Sequence, residues 1–462
     1  MLFNTPAFLI FFLLAVPLSF LVPRRWQNFL LLAASYVFYG FSEPKLVLLL
    51  LAVTAAAYVS ARGISRQPKW RKAWKVLGLA VPLLLLFVFK YFGFFRRILG
   101  AVTGLAADPI RDLILPTGIS FYTFQALAYV MDVDKGRCAA EEDPWTLALF
   151  LSFFPQLVAG PIERAGDLLP QFKKARSFDP ESAIRGLRIM LLGFFEKIAV
   201  ADILGLYVNR VWQDLPAASG ADALLATFLF SVQILCDFKG YSDIARGAAC
   251  VLGIRLSVNF DRPYRSGSVA EFWRRWHITL SSWLRDYLYI PLGGSQGSFL
   301  FWARNILIVF LISGLWHGAD LTFVAWGLLH ALFQILERLI FRKETDGSAK
   351  FWRRLLTFLC VNFAWILFRA SDFTQAHLFL NRLFSGWGTV TLSASGTELI
   401  LLSVSLISFL ALSFSDRIRK AESGMGKAVR RLSYVLMLWL TLAAYLYLRS
   451  GGIHSSFIYF QF

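Results

Sequence analysis

Apolar runs long enough to cross a bilayer recur along the chain, and polar residues gather in short clusters between them. A helix needs about 20 residues to span the hydrocarbon core. Runs of that kind lie near 2–22, at 28–42 and 44–61 as a tight hairpin, and at 76–95, 184–208, 221–238, 299–315, 318–341, 352–370, 396–415 and 432–449. In lipid each backbone polar group must be satisfied within its own segment, so these runs predict helices. The expected fold class is all-α: a polytopic integral membrane protein of roughly ten to twelve transmembrane helices, with re-entrant and interfacial helices around a central cavity. No repeat, low-complexity tract or linker divides the chain. That predicts one membrane-embedded domain over 1–462, with its core at 113–340 and its chemistry at 237–330. The run at 2–22 has no basic leader and no small-residue cleavage site, and is expected to persist as the first helix.

Three stretches depart from the simple pattern. From 113 to 160 the apolar sequence is punctuated by Pro116, Gly118, Pro155, Gly160 and Pro161. Broken backbone is tolerated at membrane depth where protein covers it or a cavity solvates it, so short or re-entrant helices are expected there. Glu163 and Arg164 would sit near a cytoplasmic mouth, and 164–182 reads as a cytoplasmic loop ending in SFDPES, a helix start. In 184–208, Glu196, Lys197 and Asp202 interrupt the apolar run, and Glu196 with Lys197 is expected to form a structural pair. Residues 273–287, placed on a helix at about 100° per residue, separate into two faces. Trp273, Trp276, Leu280, Trp283, Leu284 and Tyr287 share one side, while Arg274, Arg275, Thr279, Ser281, Ser282, Arg285 and Asp286 share the other. An amphipathic interfacial helix is expected, with His277 at the edge of its apolar stripe and PLGG at 291–294 ending it.

Composition agrees with this class: 57% of residues are hydrophobic, 16% are charged, and mean hydropathy is +0.58, too apolar for a soluble domain. The formal net charge of +18 could point to nucleic acid. The lysines and arginines instead fall between apolar runs, as cytoplasmic loops require, so nucleic acid is not an expected partner and the bilayer is. On that rule 62–75, 342–354 and 417–431 are cytoplasmic, and the N-terminus and the tail SGGIHSSFIYFQF are outside. The four cysteines, Cys138, Cys236, Cys250 and Cys360, show no CxxC spacing, and no metal site is expected.

His317 stands between two long apolar runs, in SGLWHGAD. An ionisable residue so placed marks a functional site by default. Gly314 and Gly318 bracket it and are expected to leave room for a cavity beside the imidazole, with Trp316 at the same point. Asp320 is expected to cap the next helix. His330 lies thirteen residues on, about 220° around a helix, and cannot share the face of His317. A dry, neutral imidazole suits general-base work on a hydroxyl. No GxSxG nucleophile motif is present, which favours direct transfer between bound substrates.

CDFKGYSDIARG (236–247), NFDRPYRSGSVAEFWRRWHITLSSWLRDYLYIPLGG (259–294), GLWHGA (314–319), NFAWILFRA (362–370), the closing FIYFQF and the earlier ASYVFYG (34–40) carry a resemblance over nearly the whole chain. It is to the membrane-bound O-acyltransferase family, and within it to the bacterial polysaccharide O-acetyltransferases of the alginate type. His317 falls on the family's catalytic histidine and His277 on its second key polar position. Asp237, Tyr241 and Asp243 match the DFxGYSD block, whereas Lys239 stands where a small residue is expected. The resemblance implies a ring of tilted helices around a thin centre in the bacterial cytoplasmic membrane. It also implies acetyl-CoA as donor substrate with no tightly bound cofactor, an exported polysaccharide as acceptor, and an extracytoplasmic partner protein that carries or receives the acetyl group. Trp273, Arg274, Arg275, Trp276, Arg285, Trp316, Asp237, Tyr241 and Asp243 are the expected substrate- and donor-binding residues. Two alternatives stay open: D-alanyl transfer to teichoic acid from a carrier protein, and a glycan or acyl transporter.

Overall fold

The computed structural model describes residues 1–41, 43–104, 115–341, 350–390, 395–414, 424–453 and 457–458. The rest of the basic stretches at 342–354 and 417–431, residues 113 and 114, and tail positions 454–456 and 459–462 lie outside the described residues. In chain order the helices are α1 Pro6–Leu21, α2 Arg24–Gly40, α3 Leu46–Arg66, α4 Arg71–Leu86, α5 Phe92–Thr103, α6 Ile119–Asp134, α7 Pro144–Ser152, α8 Phe154–Leu157, α9 Ala165–Lys173 and α10 Pro180–Phe194. There follow α11 Ile203–Gln213, α12 Gly220–Val251, α13 Val269–Arg275, α14 Ile278–Leu284, α15 Phe299–His317, α16 Leu321–Phe341, α17 Phe351–Arg369, α18 Phe373–Ser385, α19 Gly396–Phe414 and α20 Gly424–Ser450. Seven helical segments among the described residues are long and apolar enough to cross a membrane, and two shorter apolar helices, Pro6–Leu21 and Gly396–Leu410, accompany them.

The chain forms two compact units, Met1–Met190 with Ile244–Val258, and Leu191–Asp243 with Asn259–Phe462. In the first, every residue of α6 from Ile119 to Val130 is buried, as the broken apolar pattern predicts for an interior helix. Gly118 enters α6 at φ +79°, and a Cβ there would meet the Leu157 carbonyl, so this turn requires glycine. The stretch 164–182 is not a loop throughout. Its first half is α9, whose leucines Leu168 and Leu169 and whose Phe172 are buried. Glu163 is buried, and accepts from the Ser257 N–H (2.5 Å) and hydroxyl (2.9 Å).

In the second unit α12 reaches Asp243, well past the apolar limit at 238. The charges that end the run, Lys239 and Asp243, are paired in place at 2.7 Å. Lys239 also holds Glu196 (2.7 Å), while Lys197 holds Asp202 (2.8 Å) and Asp237. The expected Glu196–Lys197 pair is therefore corrected. Adjacent residues on a helix point about 100° apart and find different partners. The glycines around His317 are corrected too. A Cβ on Gly314 would strike the Phe323 carbonyl and one on Gly318 the Phe323 ring, so the room they create is filled by α16 packing against α15. Asp320 caps α16 as expected, accepting from Thr322 N–H at 3.1 Å.

Candidate active site

His277 sits where the chain cannot continue a helix. α13 begins on a side-chain cap, with Ser268 Oγ accepting from Glu271 N–H (2.9 Å), while the Glu271 carboxylate accepts from Gly267 N–H (2.8 Å) just before the cap. It ends at Arg275, Trp276 is extended, and His277 follows in the left-handed region at φ 44°. Arg262 is the one other non-glycine residue with positive φ among the described residues. Such a conformation costs on the order of 1–2 kcal/mol and persists where neighbours enforce it. Asn259 supplies that enforcement. Its carbonyl accepts from Ile278 N–H (2.9 Å), and its side chain accepts from the Thr279 N–H (3.3 Å) and hydroxyl (2.7 Å). Helix α14 is thereby capped from outside, and the strained residue is the one that bears the imidazole.

The single amphipathic helix expected over 273–287 is thus two short helices with a break at His277, followed by a π turn at Arg285–Tyr289. Its apolar stripe survives the break: Trp273, Trp276, Leu280, Trp283, Leu284 and Tyr287 are all buried, and Arg274 and Arg285 are exposed. His277 is fully buried, not at an edge. Burial pushes its pKa down to about 3, so its imidazole is neutral at ordinary pH.

His317 ends α15, with its ring met edge-on by Trp316 (5.0 Å), Trp326 (4.9 Å) and Phe368 (5.7 Å). Phe368 is placed by α17, which Asn362 ties to the Thr227 carbonyl (3.2 Å) and Ser231 hydroxyl (2.7 Å) of α12. His277 meets Phe238 (4.7 Å) and Trp316 (5.7 Å). The two imidazoles, forty positions apart in sequence, have ring centres 6.5 Å apart. A cavity of about 440 Å³ opens close by, lined by Trp273, Arg274, Ser281, Ser282, Arg285 and Ser313 among others. Neither histidine lines it. Ile278, the residue after His277, and Ser313, one turn before His317, do.

Residues 143–375, which hold both histidines and their aromatic shell, match the family model for membrane-bound O-acyltransferases. The chain is 35% identical over 444 residues to the probable alginate O-acetylase of Pseudomonas syringae pv. tomato, covering 93% of this chain and 85% of that protein. It is 38% identical over 402 residues to the probable alginate O-acetylase of Azotobacter vinelandii (85% and 80%). With the peptidoglycan O-acetyltransferase of Helicobacter pylori it shares 36% over 420 residues (81% and 78%). The chain belongs to the membrane-bound O-acyltransferase family. It is a multi-pass membrane acyltransferase.

Within this O-acyltransferase the residues singled out from sequence sort into four groups. His277, His317 and Trp316 are in mutual contact, and Trp273, Arg274 and Arg285 line the cavity. Arg275 turns instead to Glu271 (2.8 Å), and Trp276 packs on Trp365 (5.1 Å). Asp237, Tyr241 and Asp243 lie behind His277. Asp237 takes Lys197 and the Ile458 N–H (2.8 Å), Asp243 takes Lys239, and Tyr241 stacks on Phe457 (4.7 Å). Phe238, one residue from Asp237, is what brings this block to the imidazole. Sequence reasoning passed over Trp326, and Phe238 and Asn259 entered only inside the CDFKGYSDIARG and NFDRPYRSGSVAEFWRRWHITLSSWLRDYLYIPLGG motifs. Phe368 lay inside the NFAWILFRA motif and was legible only as part of the resemblance.

Proposed function

We propose that the protein moves an acetyl group from acetyl-CoA to hydroxyls of an exported polysaccharide at the bacterial cytoplasmic membrane, through an extracytoplasmic partner protein, with His317 as general base. The observation that carries this reading is the pair of buried imidazoles 6.5 Å apart beside a cavity rimmed by arginine. His317 takes the proton of the acceptor hydroxyl as its oxygen attacks the thioester carbonyl. The C–O bond forms, the C–S bond breaks, and the sulfur leaves with the proton that His317 returns. Proton transfer of this kind contributes on the order of 10² to 10⁴ in rate. In this reading His277, neutral and fixed by its backbone, donates to the oxygen on which charge develops. Arg274 and Arg285 suit the phosphates of the donor, since guanidinium binds phosphate with two parallel hydrogen bonds. The likeness to proteins named for alginate and peptidoglycan O-acetylation supports a sugar polymer as acceptor class.

Cells fed radiolabelled acetate test the reading. Label is expected on exported glycan with the wild-type protein and at background with His317→Ala at equal protein level. Glycan acetylation that survives His317→Ala overturns it, and alanine in place of acetyl on a wall polymer would transfer the reading to D-alanylation.

A further inference from the structure

We propose that His330 is a positioning residue for the donor cavity, holding the Trp273 indole in the orientation that forms the cavity wall. The inference rests on the reading of that cavity as the acetyl-CoA site. His330 is fully buried in α16 and does not touch the cavity itself. Its Nδ1 accepts from the Trp273 Nε1–H at 3.3 Å, with the rings edge to face at 5.2 Å and 84°. Accepting at Nδ1 makes the ring neutral and puts its proton on Nε2. Its plane is set by stacking on Phe272 (6.3 Å, 4°) and on Phe310 (6.1 Å, 21°). Phe310 and Trp273 both line the cavity. Trp326 stands between the two systems, 5.0 Å from His330 and 4.9 Å from His317. The histidine that cannot share the face of His317 on a helix thus reaches the site from behind, through the indole it orients.

Volume alone does not explain the residue. A phenylalanine at 330 would fill the same aromatic cage, and an uncharged polar ring inside a membrane-spanning helix is retained there at a cost. What phenylalanine lacks is the acceptor. The indole has one N–H, so the His330 contact fixes which way the broad face of Trp273 turns. Arg274, the next residue, lines the same cavity, so a change in the indole's setting is felt where the donor phosphates are expected.

The test uses purified full-length protein in nanodiscs, with acetyl-CoA as probe, measuring equilibrium Kd together with KM and kcat. His330→Phe is expected to raise Kd and KM about tenfold with kcat held within about twofold, the scale of one hydrogen bond and the order it imposes. His330→Asn, whose amide oxygen falls near the Nδ1 position, is expected to recover most of the affinity. Trp273→Phe, which has no N–H, should match His330→Phe, and the double variant should be no worse than Trp273→Phe alone. A loss confined to kcat or to melting temperature, an Asn variant as weak as Phe, or effects that multiply in the double variant would overturn the inference. Should His330→Phe fail to fold, His330→Asn and Trp273→Phe carry the test: near-native affinity in the first and a tenfold loss in the second are expected, and equal affinity in both overturns the proposal. Wild-type protein that does not bind acetyl-CoA overturns the donor reading and the inference together; wild-type binding left unchanged by His330→Phe overturns the inference alone.

Discussion

Two buried regions of the same compact unit surround their ionisable groups with different neighbours. Around Lys197 and Lys239, six ionisable side chains satisfy one another: Lys197 with Asp202 and Asp237, and Lys239 with Glu196 and Asp243. Around His277 and His317 aromatic edges and faces surround the two rings. Phe238 belongs to both. Its sequence neighbours Asp237 and Lys239 are in the charged network, and its ring is 4.7 Å from His277. The difference separates two roles. A buried ion pair is committed, because removing one partner leaves an uncompensated charge in a low-dielectric interior. A neutral imidazole among aromatic rings can take up a proton during a reaction and give it back.

Exchanging the characters of these regions gives graded outcomes. Lys197→Met strands two carboxylates at a site where the lysine side chain is 2% exposed. It is expected to lower stability by about 3–5 kcal/mol, read as melting temperature in detergent. A melting temperature equal to wild type would show that the network is not structural. The next effect is on pH. His277 has a folded pKa of about 3 against an ordinary value of 6.5, so between those values the unfolded chain binds more protons than the folded one. Stability is fully present above pH 6.5 and is lost as pH falls, by about 2 kcal/mol at pH 5. His277→Asn, which has nothing to titrate, should show a shallower fall in melting temperature from pH 7.5 to 5, and parallel curves would contradict the burial argument. Smallest is Lys239→Met, expected to cost about 1 kcal/mol, because its side chain is 26% exposed and solvent screens the loss. A cost equal to that of Lys197→Met would erase the distinction between a dry pair and a partly wetted one.

The chain made the helical pattern legible because lipid forces apolar runs of one length, and His277 and His317 stood out as polar residues in apolar surroundings. The break at His277 was not legible. A helical wheel assumes an unbroken backbone, and the cap that breaks it comes from Asn259, eighteen positions upstream of His277. The glycines near His317 announced space but not its occupant, which is Phe323 on the following helix. Glu196 and Lys197 were adjacent in sequence and so invited pairing, yet Glu196 pairs with Lys239 and Lys197 takes Asp237 besides Asp202, so both reach α12, forty or more positions away. In each case a local pattern named the residue, and another segment of the chain decided what it touches.

The central claim is that His317 serves the chemical step. Free thiol released from acetyl-CoA by purified protein, in the presence of acceptor glycan and the extracytoplasmic partner, tests it most directly when His317→Gln is compared with wild type. The account predicts thiol release reduced by on the order of 10² to 10⁴ with acetyl-CoA binding unchanged. Thiol release by His317→Gln at the wild-type rate, or glycan movement by wild-type protein without thioester cleavage, would contradict it.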